Sequence, residues 1–501
     1  ALKFSIEMTT VTFLVLLFVV ATARAQYDLN MASGRSTMVH LFEWKWPDIA
    51  DECENFLGPY GYGGVQVSPP QEHYVGNNVW WDRYQPASYL INSRGGDRTA
   101  FSSMVSRCNN AGVRVYVDAV INHMAAGGSP GSAGSVYNAG NYDFPQVPYS
   151  SWDFNVPNSK CSTSSGDVGN YNDAYEVRNC NLLGLKDLDV SKDYVRGKIA
   201  AYMNDLISMG VAGFRVDAVK HMWPGDLENI VSRLNNLDRS VFGSGKRPFI
   251  VQEVIDQGGE PITAGEYTHI GRVTEFKYSS EIGNAVLGYN QLRWLSNFGE
   301  GWGFMSRSYA LVFIDNHDNQ RNHGGGGNIV TYKQSKEYKI ASTFMLGYDY
   351  GAARVMSSYQ FTDTDIAGPS NSPYFDSSGA CSWSSGWVCE HRWREIRNMV
   401  EFRNTCEGQA VNNWWDNGSN QIAFSRGSKG FIAINGDSYD MNASIYTGMA
   451  SGTYCDVISG EKSGSSCTGN YITVNSSGYA SIYIDDANNS PIVAIHANSR
   501  V

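Results

Sequence analysis

An arginine and an aspartate lie two residues apart, Arg215 and Asp217, in the apolar segment 213–217 with sequence GFRVD. This segment predicts a strand, and alternate residues of a strand share a face, so the two side chains point the same way. In a half-buried place the guanidinium favours the ionised carboxylate and a low pKa for it. An ionised, positioned aspartate could act as nucleophile at a positively charged sugar carbon. The alternative is a buried Arg–Asp pair that only holds two strands together, and this segment alone does not separate the two.

Acids and amides end several other strand-like segments. Asp118 is followed by Asn122 and His123, Glu253 ends another segment, and a further one runs into residues 315–318 with sequence DNHD. Neighbouring carboxylates raise each other's pKa, and glycoside cleavage uses this conflict, because one carboxylate stays ionised while another keeps a proton. With the aromatic residues Trp80, Trp81 and Tyr84 available for stacking, the pattern favours carbohydrate chemistry over a structural role.

Eight strand-like segments alternate with helical patterns and must position these residues. This alternation predicts an α/β fold, a (β/α)8 TIM barrel, in which the carboxyl ends of the strands face one shared opening. The predicted strands are 38–42, 64–67, 113–118, 213–217, 249–253, 273–276, 311–315 and 353–356, and the predicted helices include 47–57, 100–111, 192–209, 226–237, 332–346 and 393–403.

Two regions depart from the alternation. Residues 124 to about 186 are rich in Gly, Ser, Asn and Tyr and too long for an ordinary loop, which predicts an irregular inserted domain after strand 3. Beyond Glu407 short apolar–polar alternations predict a C-terminal antiparallel β-sandwich domain. The predicted division is a signal peptide at 1–25, a barrel of 26–121 and 189–408, an inserted domain at 122–188 and a C-terminal domain at 409–501.

Composition and the N-terminus restrict the class of protein. The 501 residues carry a formal charge of -11, which argues against a nucleic-acid partner because no basic face is available for phosphates. Residues 10–20 are almost wholly apolar, and Ala23-Arg24-Ala25 supplies the small residues of a cleavage site. The apolar run is too short to span a bilayer. We therefore expect a secreted, extracellular protein, cleaved after Ala25, with no membrane partner.

Secretion makes the nine cysteines candidates for disulfides. Three pairs are locally spaced, the members of a fourth lie in two early helical segments, and Cys406 is left over. Four Asn-X-Ser triplets, including Asn442-Ala443-Ser444, are candidate glycosylation sites. The expected disulfides are Cys161–Cys180, Cys381–Cys389, Cys455–Cys467 and Cys53–Cys108.

Four segments together carry a resemblance to a known family. They are DAVINH at 118–123, GFRVDAVKH at 213–221, QEVID at 252–256 and FIDNHDNQR at 313–321. In this order they resemble the motif regions of the α-amylases of glycoside hydrolase family 13, and more narrowly the chloride-dependent animal type. The resemblance extends from about Gln26 to the end of the chain, including WWDRYQP at 80–86 and NWWDNGSN at 413–420.

The resemblance implies a role for each matching residue. Asp217 is the implied nucleophile, Glu253 the general acid and base, and Asp318 the residue that stabilises the distorted sugar. A lone histidine is more often a core residue, so the histidine assignments depend on the motifs. The implied substrate-binding residues are Trp80, Trp81, Tyr84, Gln85, His123, Tyr171, Lys220, His221, His317 and His323.

Two ions are also implied by the resemblance. Calcium would take the side chains of Asn122 and Asp187 and the carbonyls of Arg178 and His221, an oxygen donor set that suits Ca²⁺. Taken alone, Asp187 could instead be an exposed acid. Chloride would lie between Arg215, Asn316 and Arg354, where an anion would screen the guanidiniums from Glu253 and favour its protonated form.

The implied activity is endo-hydrolysis of internal α-1,4-glucosidic bonds in starch, glycogen and malto-oligosaccharides, with retention of configuration, by a monomeric digestive enzyme. The alternatives are a related α-glucosidase or transglycosylase, and an inactive carbohydrate-binding homologue. The glycine run after His323 resembles the mobile loop that closes over substrate in this family, although four glycines also suit a plain linker.

Overall fold

Eight parallel strands close into a barrel in a computed structural model that describes residues 25–501. Each strand pairs with its neighbour in chain order and the last pairs with the first, so the predicted (β/α)8 barrel is confirmed. The predicted signal peptide lies outside the described residues apart from Ala25. Strands β1 to β8 are Thr37–Leu41, Gly64–Val67, Arg114–Ala119, Gly213–Val216, Phe249–Gln252, Arg272–Thr274, Ala310–Val312 and Ala352–Ser357.

The barrel strands are buried on both faces, as expected for a parallel sheet covered by helices. Several predicted boundaries are wrong: β6 ends at Thr274 because Phe276 begins a helix, and the helix predicted over 226–237 ends at Ser232. The α-helices are Trp46–Glu52, Arg98–Asn110, Ala174–Asn179, Asp193–Ser208, Pro224–Ser232, Arg239–Phe242, Phe276–Val286, Ser335–Gly347 and Arg394–Thr405.

A three-stranded antiparallel sheet between β2 and β3 was not predicted. It consists of Gln71–His73, Pro86–Ser93 and Gly96–Asp97, and it joins the segment after β3 through Gln85, whose Oε1 accepts the N–H groups of Ala126 (3.1 Å) and Gly127 (3.0 Å). The residues after β3 contain one small sheet of their own, His123–Met124 with Lys186–Asp187. The first of these sheets positions the turn Trp80–Tyr84 at the barrel mouth.

The C-terminal part forms two four-stranded antiparallel sheets packed face to face, so the predicted β-sandwich is confirmed. The apolar–polar alternations at 421–425, 430–435, 452–458, 471–474, 480–484 and 492–496 predict six of its strands, whereas strands β9 and β12 were not predicted. Strands β9 to β16 are Val411–Asp416, Gln421–Arg426, Gly430–Asn435, Met441–Tyr446, Gly452–Cys455, Tyr471–Val474, Tyr479–Ile484 and Ile492–His496.

Four disulfides join Cys53 to Cys108, Cys161 to Cys180, Cys381 to Cys389 and Cys455 to Cys467, while Cys406 is buried as a free thiol. Over residues 25–501 no helix is both long and apolar enough to cross a bilayer.

Candidate active site

Arg215 is the centre of a buried charged cluster at the carboxyl end of the barrel. Its Nη1 lies 2.6 Å from both Asp118 Oδ1 and Asp217 Oδ1, and its Nη2 lies 2.6 Å from Glu253 Oε1. Burial alone would lower the pKa of Arg215, but the carboxylates of Asp118, Glu253 and Asp217 outweigh it and raise the pKa. One permanently charged guanidinium therefore holds three carboxylates together.

Asp217 and Glu253 are brought together by strand register. Val216 and Gln252 are paired residues of β4 and β5, so the two acids directly follow paired positions. Adjacent strands lie about 4.8 Å apart, which suits the carboxyl separation of about 5–5.5 Å in retaining glycosidases. The backbone N–H of Ala218 also donates to Glu253 Oε2 at 2.9 Å and orients this carboxyl group.

The protonation of Asp217 differs from the sequence expectation. Burial is the largest influence and raises its pKa well above the ordinary value; Arg215 opposes this shift, while Glu253 and Asp118 add to it. The expectation of a low pKa is therefore wrong, because burial and like charges outweigh one shared guanidinium. The ionised form of Asp217 depends on Arg215 and on any positive charge that develops in the cleft.

Asp318 lies in a tight turn beyond β7. Asn316 Oδ1 accepts the N–H groups of Asp318 (3.0 Å) and Asn319 (2.7 Å), and His317 Nε2 lies 3.3 Å from Asp318 Oδ2. Burial, reinforced by Glu253, raises the pKa of Asp318 to about 8. Near neutral pH this carboxyl group can therefore hold a proton and donate a hydrogen bond to a sugar hydroxyl.

The cluster opens into a cleft of about 640 Å³. Its aromatic wall is ordered by stacking: the His317 ring lies on Tyr84, with centroids 5.2 Å apart and planes at 15°, and Trp80 meets His317 edge-on. All three predicted catalytic acids and all ten predicted substrate-binding residues line this cleft, namely Asp217, Glu253, Asp318, Trp80, Trp81, Tyr84, Gln85, His123, Tyr171, Lys220, His221, His317 and His323.

The histidine His123 is neutral in this wall. Its Nε2 is 2.9 Å from the carbonyl oxygen of Tyr84, and burial lowers the pKa of His123 to about 4. The other ring nitrogen, Nδ1, lies 3.3 Å from Asn122 Nδ2, so His123 forms part of the wall without adding a positive charge beside the carboxylates.

The glycine run forms one edge of the cleft through Gly324 and Gly325. Gly325 has a φ of +60°, and a Cβ there would lie 2.3 Å from the Phe276 ring, so glycine is required both by conformation and by close approach. The mobility of this loop stays a prediction.

Sequence reasoning missed several residues of the site. Asp118 is fully buried and bridges Arg215 to the Tyr84 hydroxyl, which donates at 2.8 Å; its register opposite Arg215 places it there. Glu260 lines the cleft and pairs with Lys220. An apolar cleft edge comes from residues 182–185 with sequence LLGL, in which Leu183 is exposed. The sequence did single out Asp118 as an acid at a strand end, but it assigned this residue no role in the site, and Glu260 and residues 182–185 carried no signal beyond common residue types in a loop.

Two of the four residues expected at a calcium site, Asn122 and Asp187, are in contact at the junction of β3 and the segment that follows it, and His221 contacts Val177, the neighbour of Arg178. Asp187 is 1% exposed, so the alternative of an exposed acid is wrong, and burial raises its pKa well above the ordinary value. Its neighbours are amides: Asn155 Nδ2 donates to Asp187 Oδ2 at 2.6 Å, and Asn122 lies on its other side. Within residues 25–501 no cationic side chain pairs with this carboxylate, so the donor set fits a bound cation.

The residues expected at a chloride site also fit an anion. Arg354 is 3% exposed, donates to Gln66 Oε1 at 2.7 Å and lies over the Phe313 ring, and no carboxylate of residues 25–501 is within ion-pair distance of it. Burial and the charge of Arg215 lower the pKa of Arg354 to about 10. The oxygen of Asn316 is occupied by backbone N–H groups, so its amide NH₂ is the part available to an anion.

Comparison with known proteins agrees with this geometry. Residues 71–251 match the family model described as alpha amylase, catalytic domain, and residues 412–498 match the alpha amylase, C-terminal all-beta domain. The chain is 54% identical to an alpha-amylase of Oryzias latipes over 95% of this chain and 97% of that protein. It is 52% identical to alpha-amylase 2B of Homo sapiens, over 98% of this chain and 100% of that protein. The chain belongs to the α-amylase family.

A solved structure of the family shows the same architecture. The crystal structure of a glutamate-to-glutamine variant of alpha-amylase I from Eisenia fetida, in complex with maltohexaose, superposes with a TM-score of 0.88. It is 48% identical and the match covers 93% of this chain and 98% of that one. This chain is therefore an α-amylase-type glycoside hydrolase by family, with the barrel and β-domain of its relatives.

Proposed function

We propose that this chain is a secreted α-amylase that hydrolyses internal α-1,4-glucosidic bonds of starch, glycogen and malto-oligosaccharides with retention of configuration. The observation that carries the proposal is the pair Asp217 and Glu253, which follow paired strand positions, share Arg215 and open into the cleft. The relatives named alpha-amylase and the maltohexaose complex of the Eisenia protein support this substrate class.

In the first step the carboxylate of Asp217 attacks the anomeric carbon while Glu253 donates its proton to the glycosidic oxygen, which leaves with the electron pair of the broken bond. The result is a β-glycosyl ester on Asp217. In the second step Glu253 takes a proton from water, the water oxygen attacks the same carbon, and the ester bond breaks. Two inversions return the α configuration.

Asp318 and the histidines would hold the sugar at the cleavage point. A protonated Asp318 can donate to a sugar hydroxyl, and His317, held by its stacking on Tyr84, stays beside it. Trp80 and Trp81 provide flat apolar surfaces for neighbouring sugar rings. These contacts position the scissile bond against Asp217 and Glu253.

Calcium, held by Asn122, Asp187 and the carbonyls of Arg178 and His221, would stabilise the cleft without taking part in the reaction. His221 follows β4 by five residues, and its Nδ1 contacts the carbonyl of Val177 at 2.9 Å, which ties the expected site to the catalytic strand. Chloride, held by Arg215, Asn316 and Arg354, would supply negative charge beside Arg215. Arg215 pairs directly with Glu253, so an anion bound beside Arg215 would lie close to the proposed general acid.

Secretion and the division into barrel, inserted segment and C-terminal domain are part of the same proposal. The four disulfides are typical of an oxidising compartment.

Product analysis on soluble starch tests the proposal. We expect the iodine colour and viscosity to fall well before reducing ends accumulate, and NMR of early products to show the α anomer. Release of glucose or maltose from chain ends from the outset would contradict endo cleavage, and an initial β anomer would contradict retention. Absence of any hydrolysis would indicate a binding homologue.

A further inference from the structure

One face of the C-terminal sandwich presents tyrosine rings to solvent instead of to the core. Strands β12, β13, β14 and β15 form one sheet, and its inner residues, such as Ile445, Val474 and Ile482, pack against the other sheet. Side chains of a strand alternate between faces, so the intervening residues point outward. Four of these are tyrosines with exposed fractions of 42% to 60%, namely Tyr446, Tyr471, Tyr479 and Tyr483.

The tyrosines are arranged by register. Tyr446 and Tyr479 are directly opposite each other in β12 and β15, with ring centroids 5.3 Å apart. Gly478 allows this packing, because a Cβ there would lie 2.6 Å from the Tyr446 ring. Tyr483 lies four residues beyond Tyr479 in β15, on the same face and about 14 Å away. Its hydroxyl donates to Asp440 Oδ2 at 2.9 Å. The rings are thus held in a row longer than a single sugar.

The outward residues of these strands carry no charge, although the chain has a formal charge of -11. The acids Asp440, Asp485 and Asp486 cluster at one end of the face, beside Tyr483. Between the tyrosines lie only hydroxyl and amide side chains, and the outward residues of β12, β14 and β15 are Asn442, Ser444, Tyr446, Tyr471, Thr473, Tyr479, Ser481 and Tyr483. Flat rings alternating with neutral hydrogen-bonding groups match a neutral polymer that itself alternates apolar ring faces with hydroxyls. Nucleic acid and acidic proteins would find no cation here.

We propose that this tyrosine face is a second, non-catalytic binding surface for an α-glucan chain, which holds the enzyme on insoluble starch. The inference rests on the proposed function for its ligand. It concerns a surface built from different residues than the cleft, since none of the outward residues lines the cleft.

Adsorption to starch granules at 4 °C tests this inference, with protein produced in bacteria so that Asn442 carries no glycan. The triple variant Tyr446→Ala, Tyr479→Ala and Tyr483→Ala removes three rings. We expect its association constant for granules to fall about ten-fold, since each ring contributes about two-fold. Its kcat/KM on maltohexaose should stay within about two-fold of wild type, because the cleft is unchanged. Tyr289→Ala, at a tyrosine 73% exposed outside this face, is the matched control and should adsorb like wild type.

A second variant, Ser481→Glu, keeps all rings and places a charge in the middle of the face, and it should also weaken adsorption. The inference would be overturned if both variants adsorbed to granules as strongly as wild type. It would also be overturned if the wild-type protein were a dimer and both variants were monomers that adsorbed equally well, because the face would then be a dimer interface. Failure of the proposed function has a different signature, because wild-type protein would then not hydrolyse starch, would release glucose or maltose from chain ends from the outset, or would give an initial β anomer.

Discussion

Replacement of Glu253 by Gln should remove the proton required for cleavage while keeping the shape of the side chain. The Gln amide oxygen can still accept the N–H of Ala218, which Glu253 Oε2 accepts at 2.9 Å. Arg215 loses one of its three carboxylates but keeps Asp118 and Asp217, each at 2.6 Å. We therefore expect the fold and the cleft to persist.

The expected loss of kcat follows from the two roles of Glu253, as general acid in the first step and general base in the second. A positioned general acid or base contributes about 10²–10⁴-fold, which corresponds to about 3–5 kcal/mol in the activation free energy. Because both chemical steps on starch use Glu253, we expect kcat to fall toward the upper end of this range. The Kd for maltohexaose should change only a few-fold, about 1 kcal/mol or less.

The assay compares kcat on soluble starch, the calorimetric Kd for maltohexaose and turnover of α-maltosyl fluoride, whose fluoride leaves with little need for protonation. The variant should form the glycosyl-enzyme from the fluoride far faster than from starch. Glu260→Gln is the matched control, because Glu260 lines the same cleft but pairs with Lys220, and it should lose less than about ten-fold. A Glu253→Gln enzyme with more than a tenth of wild-type activity, or a larger loss in Glu260→Gln, would refute the acid assignment.

Three further predictions concern ions and pH. We expect chloride to activate wild type after dialysis into acetate, and Arg354→Gln should abolish this activation, because the variant lacks the buried guanidinium that no carboxylate of residues 25–501 pairs with. An unchanged chloride response in the variant would remove Arg354 from the site. Chelation by EDTA should lower the Tm of wild type, since calcium at a thousand times its Kd stabilises the folded protein by about 4 kcal/mol. The Tm of Asp187→Asn should change little on chelation. An equal shift of Tm in both proteins would place the ion elsewhere. Burial lowers the pKa of His496 to about 4 from its ordinary value of 6.5. Between these pH values the unfolded chain binds a proton at His496 that the folded chain does not. The free energy of unfolding therefore falls as the pH drops through this range. His496→Gln should reduce this acid loss by up to about 3 kcal/mol in urea unfolding at pH 7 and pH 4, and identical slopes would contradict it.

The sequence alone determined the barrel, the β-sandwich and thirteen of the residues that line the cleft. Strand and helix periods are local properties, so eight alternations were visible without any contact information. Acids at strand ends converge by the geometry of a barrel, which is why Asp217, Glu253 and Asp318, far apart in the chain, could be assigned to one cleft.

Tertiary structure decided what depends on long-range contacts. The sheet of residues 71–97 and strands β9 and β12 carry weak local patterns and form because partners from other segments complete them. The role of Asp118 depends on its register opposite Arg215. The raised pKa of Asp217 also needed the structure, because burial and neighbouring charges, rather than the adjacent arginine, set the direction. Residue types specify which groups can react, but the burial of each group and the charges beside it determine whether it is protonated.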